Sequence, residues 1–172
     1  MIGLGIVFAA VGGYLGLTNP SYFSTRFLKN QARRQIRARP DPVVDPDDPE
    51  AIFVEIVPRK NWGKIMLETA SDVGFLLLDQ DRGELRFEGD CESYRIPGRA
   101  ITYCEIEEVV LSQGAGGVVA MYPTVVRATH SSGSWEAPIL KRGDVGSSGA
   151  EKRRQRAEEL CDMIHSVIPA SD

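Results

Sequence analysis

The first 23 residues of this 172-residue chain contain no charged side chain, and the next 17 contain six basic residues and no acidic one. Lys and Arg concentrate on the cytoplasmic side of membrane spans. The pattern therefore predicts a transmembrane anchor over residues 1–23 and a single-pass protein of the cell membrane, with its C-terminal part in the cytoplasm. The side chains expected to contact membrane lipids at the surface are Arg26, Lys29, Arg33, Arg34, Arg37 and Arg39.

The anchor is short, because Ile2–Leu17 supplies 16 residues and a span needs about 17–25. Gly12 and Gly16 have GxxxG spacing, which lets two spans approach closely and predicts self-association. Three alternatives stay open. The alternative interpretations of the segment are a buried core helix, the last span of a larger membrane protein, and a cleaved signal peptide. The third is disfavoured because the basic residues follow the apolar run instead of preceding it.

Two segments separate this anchor from the rest of the chain. Asn19 and Pro20 are suited to the start of a second helix, which we expect to end before Pro40 and to include a basic juxtamembrane helix over residues 24–39. Residues 40–50 contain four prolines and five acidic residues, which predicts a stiff, solvated linker and a domain boundary near Glu50. A contact between the acidic linker and the basic helix is the alternative.

Residues 51–172 are predicted to form one domain. They contain 14 basic and 19 acidic residues, a net charge of −5, and an acidic domain is a poor candidate for binding nucleic acid. The three cysteines, Cys91, Cys104 and Cys161, show no CxxC spacing, which is typical of reduced thiols in a cytoplasmic domain.

Alternating and continuous apolar runs bounded by turn residues predict a mainly β domain. Gly83 is suited to a turn that needs positive φ, a bulge is expected within the strand over residues 103–111, and residues 130–133 are predicted to form a hairpin turn. The predicted strands cover residues 51–57, 64–67, 73–78, 84–87, 93–96, 103–111, 118–129 and 134–140.

One amphipathic helix is predicted at the C-terminus. Ser148 and Glu151 have capping-box spacing, with Ser148 as the N-cap, and Pro169 is expected to end the helix. A single apolar stripe would cover the sheet, and its members are Ala157, Leu160, Cys161, Ile164, Val167 and Ile168.

About seven antiparallel strands capped by one C-terminal helix resemble a pleckstrin-homology-like barrel of the bacterial or GRAM type. The segments that carry this resemblance are Gly74–Asp79, Gly83–Asp90 and Tyr94–Ile101. The resemblance implies a binding domain, and in lipid-binding members basic residues between the first strands hold the headgroup. The matching candidates here are Arg59, Lys60 and Lys64.

The sequence predicts no catalytic residue, cofactor or metal site. His130 and His165 are expected to be structural or solvated, since no second metal ligand was recognised at helical or CxxC spacing. Cys91 and Cys104 are expected to be small core residues. The glycine-rich stretch 114–117 lacks the ending of a phosphate-binding loop.

These observations predict a membrane-anchored, non-enzymatic domain that recognises a protein partner. The alternative is a domain that binds anionic lipid headgroups at the membrane surface. An enzyme with an unrecognised site is a third hypothesis, and it requires a pocket that gathers several polar groups.

Overall fold

The computed structural model of the protein describes residues 20–62, 70–112, 118–130, 133–141 and 149–169. Most of the predicted anchor, with Gly12 and Gly16, lies outside the described residues, as does the predicted strand over residues 64–67. Neither helix of the described ranges has the length and apolar character needed to cross a membrane. The elements in chain order are α1 (Pro20–Arg37), β1 (Ile52–Ile56), β2 (Asp72–Asp79), β3 (Glu84–Gly89), β4 (Ser93–Pro97), β5 (Ile101–Ile106), β6 (Val109–Ser112), β7 (Val118–Met121), β8 (Thr124–His130), β9 (Gly133–Lys141) and α2 (Ala150–His165).

Seven strands form one antiparallel sheet in the order β4-β3-β2-β1-β9-β8-β5, and β6 and β7 form a separate two-stranded sheet. The predicted turn at Gly83 is present with φ of +58°, and β8 and β9 meet at the predicted hairpin, where His130 pairs with Gly133. The mainly β architecture with one C-terminal helix is thus confirmed.

The inner face of the sheet carries the main core. Because side chains alternate along a strand, Val54, Leu76 and Phe87 all point to this face and are fully or almost fully buried. The sheet is curved enough for Tyr94 of β4 to meet Trp135 of β9, with ring centroids 5.3 Å apart, although three strands separate β4 from β9 in the sheet.

Helix α2 covers this inner face with the predicted stripe. Its most buried members are Leu160 and Ile164. Just beyond the helix the Val167 carbonyl lies so close to Gly98 that a Cβ there would be 1.8 Å from the oxygen, so this position requires glycine. The N-cap is Gly149, without a side-chain cap hydrogen bond, so the prediction of Ser148 as N-cap is wrong. Ser148 itself lies outside the described residues.

The outer face of the sheet is covered by residues that were predicted to lie outside the domain. Phe53 of β1 and Phe75 of β2 pack there in a second core cluster with Ala32 and Ile36 of α1 and with Val44. Ile36 is fully buried and Val44 almost so. Helix α1 ends two residues before the predicted end and docks its apolar side on β2 and β3.

Residues 40–50 therefore do not form the solvated linker that was expected. Their acidic side chains make local turns, because Asp45 accepts a hydrogen bond from the Asp47 N–H (2.9 Å) and Asp48 accepts one from the Glu50 N–H (2.8 Å). These turns bend the segment back onto the sheet, and the alternative contact between acidic and basic segments is present.

Two long strands of the prediction are each divided in the structure. The stretch 103–111 breaks at Glu107 between β5 and β6, and the stretch 118–129 breaks at Pro123 between β7 and β8. Pro123 has no N–H to donate to a ladder, and its carbonyl accepts the Glu107 N–H at 3.0 Å. The register shift of this region lies between Ile101 and Tyr103, before the stretch 103–111 in which a bulge was expected, and the pairing of β5 with β8 is regular from Tyr103 to Ile106.

Replacement of Ile36 by alanine tests the docking of α1. The fully buried side chain leaves a cavity between helix and sheet, so Ile36→Ala is expected to lower the free energy of unfolding by roughly 2–5 kcal/mol. Urea unfolding of the full chain followed by tryptophan fluorescence measures the effect. The exposed neighbour Gln35→Ala is the matched control and should change stability by no more than about 0.5 kcal/mol. Equal effects of the two substitutions would contradict the docking.

Glu88 allows a second test of the same packing. This buried carboxylate of β3 accepts hydrogen bonds from the Arg39 guanidinium and the Val43 N–H. Glu88→Gln places an amide NH₂ against the Arg39 guanidinium, which is 30% exposed. We expect this substitution to lower the free energy of unfolding by roughly 2–4 kcal/mol. Asp47→Asn removes an exposed carboxylate that pairs with Arg33 and Arg37, and its cost in the same unfolding assay should stay below about 1 kcal/mol.

Candidate functional site

A cleft of about 260 Å³ opens where the end of β1, the β3–β4 turn and β9 approach one another. It combines an aromatic wall with several polar groups, so it is the strongest candidate site in the described part of the chain. Its lining residues are Ile56, Pro58, Arg59, Ser71, Asp72, Cys91, Glu92, Tyr94, Trp135, Glu136, Ala137 and Pro138.

The aromatic wall is formed by Tyr94 and Trp135. Both belong to the inward-facing positions of their strands, and both are partly buried at the edge of the main core. Tyr94 also stacks on Phe87, with ring centroids 6.0 Å apart. The curvature of the sheet thus brings two aromatic side chains from distant strands to one opening.

The deepest polar group of the cleft is Asp72. Its carboxylate accepts hydrogen bonds from the Cys91 N–H (3.1 Å) and the Glu92 N–H (2.9 Å), which hold the β3–β4 turn. Asp90 in that turn accepts the Val73 N–H in return, at 3.2 Å. Burial raises the pKa of Asp72 to about 7, and its hydrogen bond to Asp90 adds to the shift.

Asp90 titrates in the opposite direction. Its own burial opposes ionisation, but the hydrogen bonds from Asp72 and from the Val73 N–H lower its pKa below the ordinary value. Below pH 7 the proton of this pair therefore resides on Asp72, while Asp90 is ionised. Cys91 beside them is exposed, which corrects the expectation of a core residue. Partial desolvation of the sulfur, together with the nearby carboxyl groups of Asp90 and Asp72, raises its pKa, so the thiol is protonated and a poor nucleophile.

Arg59 on the rim of the cleft is the first of the predicted headgroup contacts. It donates to Glu136 at 2.8 Å and to Glu107 through a two-pronged pair, and it lies over the Trp62 ring at 4.6 Å. The hydrogen bond to Glu107 is the main reason that the pKa of Arg59 is raised. Lys60 is exposed beside it, and Lys64 lies outside the described residues. The structure thus does not gather the three side chains into a basic pocket.

The six basic side chains assigned to the membrane surface fall into two groups. Three of them bind within the domain: Arg33 pairs with Asp47 at 3.1 Å, Arg37 pairs with the same carboxylate at 2.6 Å, and Arg39 binds Glu88 and, at 2.8 Å, the Asp90 carbonyl. The other three have no ion-pair partner among the described residues, and they are Arg26, Lys29 and Arg34. Phe27 lies on the same helix with 61% of its surface exposed.

A second cluster of reactive side chains lies between α2 and β5. The Cys161 sulfur is 3.5 Å from the Cys104 sulfur and 3.8 Å from Nδ1 of His165. Both cysteines are buried, as the apolar stripe predicted for Cys161, whereas His165 is exposed. Sequence reasoning missed this cluster, although Cys161 and His165 are four residues apart and therefore share a helix face. His130 lies on β8 and its side chain is not among those described.

Comparison with known proteins gives no assignment for this site. No protein-family model matches the chain, no curated protein matches it, and no solved structure matches its fold.

The raised pKa of Asp72 predicts a pH dependence of stability. A carboxyl group whose pKa is higher in the folded state stabilises the fold fully below its unfolded pKa, near 4, and loses that contribution as pH rises to about 7. The wild-type protein should therefore lose stability between pH 4 and 7 relative to Asp72→Asn, whose amide cannot ionise. Unfolding free energies measured across this range test it, with the exposed Asp81→Asn as control. A constant difference between wild type and Asp72→Asn would contradict the assignment.

Proposed function

We propose that this chain is a membrane-anchored, non-enzymatic binding domain of the pleckstrin-homology-like type, with its folded part in the cytoplasm, and that its cleft recognises a protein partner. Seven antiparallel strands in one curved sheet, followed by a helix packed on the inner face, support the architectural part of this proposal. The uncharged residues 1–23 and the basic residues after them support the membrane part.

The observation that carries the choice of a protein partner is the chemistry of the cleft. Glu92 and Glu136 lie on its rim, Asp72 lies in its wall, and Arg59 is the one basic residue among its described lining residues. Arg59 is already paired with Glu107 and Glu136, and Arg127 also binds Glu136. The negative charge of the opening therefore comes from Glu92 and from the Asp72–Asp90 pair, in which Asp90 is ionised. Tyr94 and Trp135 offer aromatic surface to a cation. Such a site suits a Lys or Arg side chain presented by a partner protein.

The alternative function is the binding of anionic lipid headgroups. It would need free cations at the cleft, whereas Arg59 is held by two carboxylates and its neighbourhood includes Glu92. Lys60 is the remaining exposed cation of the described candidates. Like charge between the carboxylates and a phosphate therefore disfavours this alternative.

Membrane lipids enter the proposal through the N-terminal part of the chain. Arg33, Arg37 and Arg39 are bound within the domain. Contact with the membrane surface is therefore expected from Arg26, Lys29 and Arg34, and each adds about 1 kcal/mol of binding free energy against an anionic leaflet. The exposed Phe27 ring is placed to enter the interface beside them. Self-association through Gly12 and Gly16 is part of the same proposal.

Binding of a cationic peptide tests the function of the cleft. We expect a tri-arginine peptide, added at low salt to the full chain in uncharged nanodiscs, to shift the indole N–H resonance of Trp135 while a tri-glutamate peptide leaves it unchanged. Glu92→Gln removes one rim charge and should weaken binding roughly three- to fivefold. Glu158→Gln, on the exposed face of α2, is the matched control and should bind as the wild type does.

The lipid alternative makes the opposite prediction in the same preparation. The proposal of a protein partner is overturned by two results together. The tri-arginine peptide leaves the Trp135 resonance unchanged, and the chain binds vesicles containing anionic lipid in a way that Lys60→Glu abolishes.

A further inference from the structure

The cluster of Cys104, Cys161 and His165 has the composition and spacing of a metal site. Its three donor atoms, two sulfurs and Nδ1, all lie within 4.8 Å of one another. Tetrahedral zinc, with Zn–S bonds of about 2.3 Å and Zn–N bonds of about 2.0–2.1 Å, places two sulfurs about 3.8 Å apart and a sulfur and a nitrogen about 3.6 Å apart. The observed 3.5 Å and 3.8 Å separations differ from these values by a few tenths of an ångström.

We infer that Cys104, Cys161 and His165 bind a zinc ion, with the two sulfurs and Nδ1 as ligands and a water molecule in the fourth position. Thiolate and imidazole are the ligand types that zinc prefers in proteins. The proposed site is separate from the cleft, since none of its residues lines that opening.

The fold itself brings the three ligands together. Cys161 and His165 lie one turn apart on α2, so they face the same side of the helix. Cys104 is an inward-facing residue of β5, and α2 packs directly on that strand. These contacts are part of the main core, so the ligands are held in place by the same packing that closes the sheet.

The burial of the ligands gives the site one closed side and one open side. Cys104 is 5% and Cys161 7% exposed, whereas His165 lies on the surface. An ion can therefore reach the cluster past His165, and the fourth coordination position faces solvent.

Proton balance follows from the state of the thiols. Burial raises the pKa of Cys104, and the nearby Cys161 adds to the effect; burial likewise raises the pKa of Cys161. Both thiols are therefore protonated before the ion binds. Formation of two Zn–S bonds releases two protons to the buffer, while His165 donates the Nδ1 lone pair and keeps its proton on Nε2. Asp162 and Glu105 place negative charge near Cys161 that favours the cation.

A second group of candidate ligands, Asp72, Asp90 and Cys91, supplies the internal control. Its carboxylates are already occupied by the backbone N–H groups of Val73, Cys91 and Glu92. Cys91→Ser should thus leave metal binding unchanged, and it also leaves the two other cysteines of the chain in place.

Titration of the full chain with Co²⁺ in detergent, under TCEP, is the direct test, because cobalt replaces zinc and reports its ligands in the absorption spectrum. We expect one equivalent to produce a thiolate-to-cobalt charge-transfer band and tetrahedral visible bands, both removed by Zn²⁺. Cys161→Ser, Cys104→Ser and His165→Gln should each weaken binding by more than about 100-fold, since changes even to outer-shell partners cost 10–100-fold. Cys91→Ser and His130→Gln should bind as the wild type does.

Thermal unfolding gives a second readout that does not depend on the spectrum. Zinc that binds the folded state alone raises the unfolding temperature, and the rise should be absent in Cys161→Ser even if that variant is itself less stable. The inference is overturned if the reduced wild type shows no charge-transfer band and no zinc-dependent stabilisation. It is equally overturned if Cys91→Ser abolishes binding, or if His165→Gln binds the ion as tightly as the wild type does.

Discussion

The fold depends on a sheet that carries large apolar side chains on both of its faces along β2. The run from Val73 to Leu78 places Leu76 in the inner core and Phe75 on the opposite face. Both faces must be removed from water, because each large apolar side chain left exposed forfeits about 1.5–3 kcal/mol. Helix α2 covers the inner face, and α1 with residues 40–50 covers the outer one. The helix α1 and residues 40–50 are therefore part of the folded domain, because they cover the outer face of the sheet.

The docking of α1 and residues 40–50 on the sheet also connects this N-terminal part of the chain to the cleft. Arg39 binds the carboxylate of Glu88 and the carbonyl of Asp90, and Asp90 in turn holds the start of β2 through the Val73 N–H. The β3–β4 turn is thus shared by the segment that follows α1 and by the wall of the cleft. In the proposed function, this shared turn sets the position of the cleft relative to the membrane-facing end of α1.

Local patterning was sufficient to predict most of the sheet, since alternation located β1, β3, β4 and β9 to within two residues. It failed where long-range contacts decide the outcome. The prolines and acidic residues of residues 40–50 predicted a solvated linker, because no local pattern shows that Val44 is buried in one cluster with α1 and Phe75. The break at Pro123 was readable from its missing N–H and was overlooked. The spacing of Cys161 and His165 was equally readable, but Cys104 joins them only through the packing of α2 on β5.

The packing of Ile36 and Phe75 in one buried cluster provides the most direct test of this account. Nuclear Overhauser effects measured on the full chain in nanodiscs report whether the Ile36 methyl groups lie against the Phe75 ring. The account predicts strong cross-peaks between them, as expected for two fully buried members of one cluster. Cross-peaks from the Ile36 methyl groups to lipid acyl chains, with none to Phe75, would contradict it, because α1 would then lie on the membrane with its apolar side and leave the outer face of the sheet uncovered.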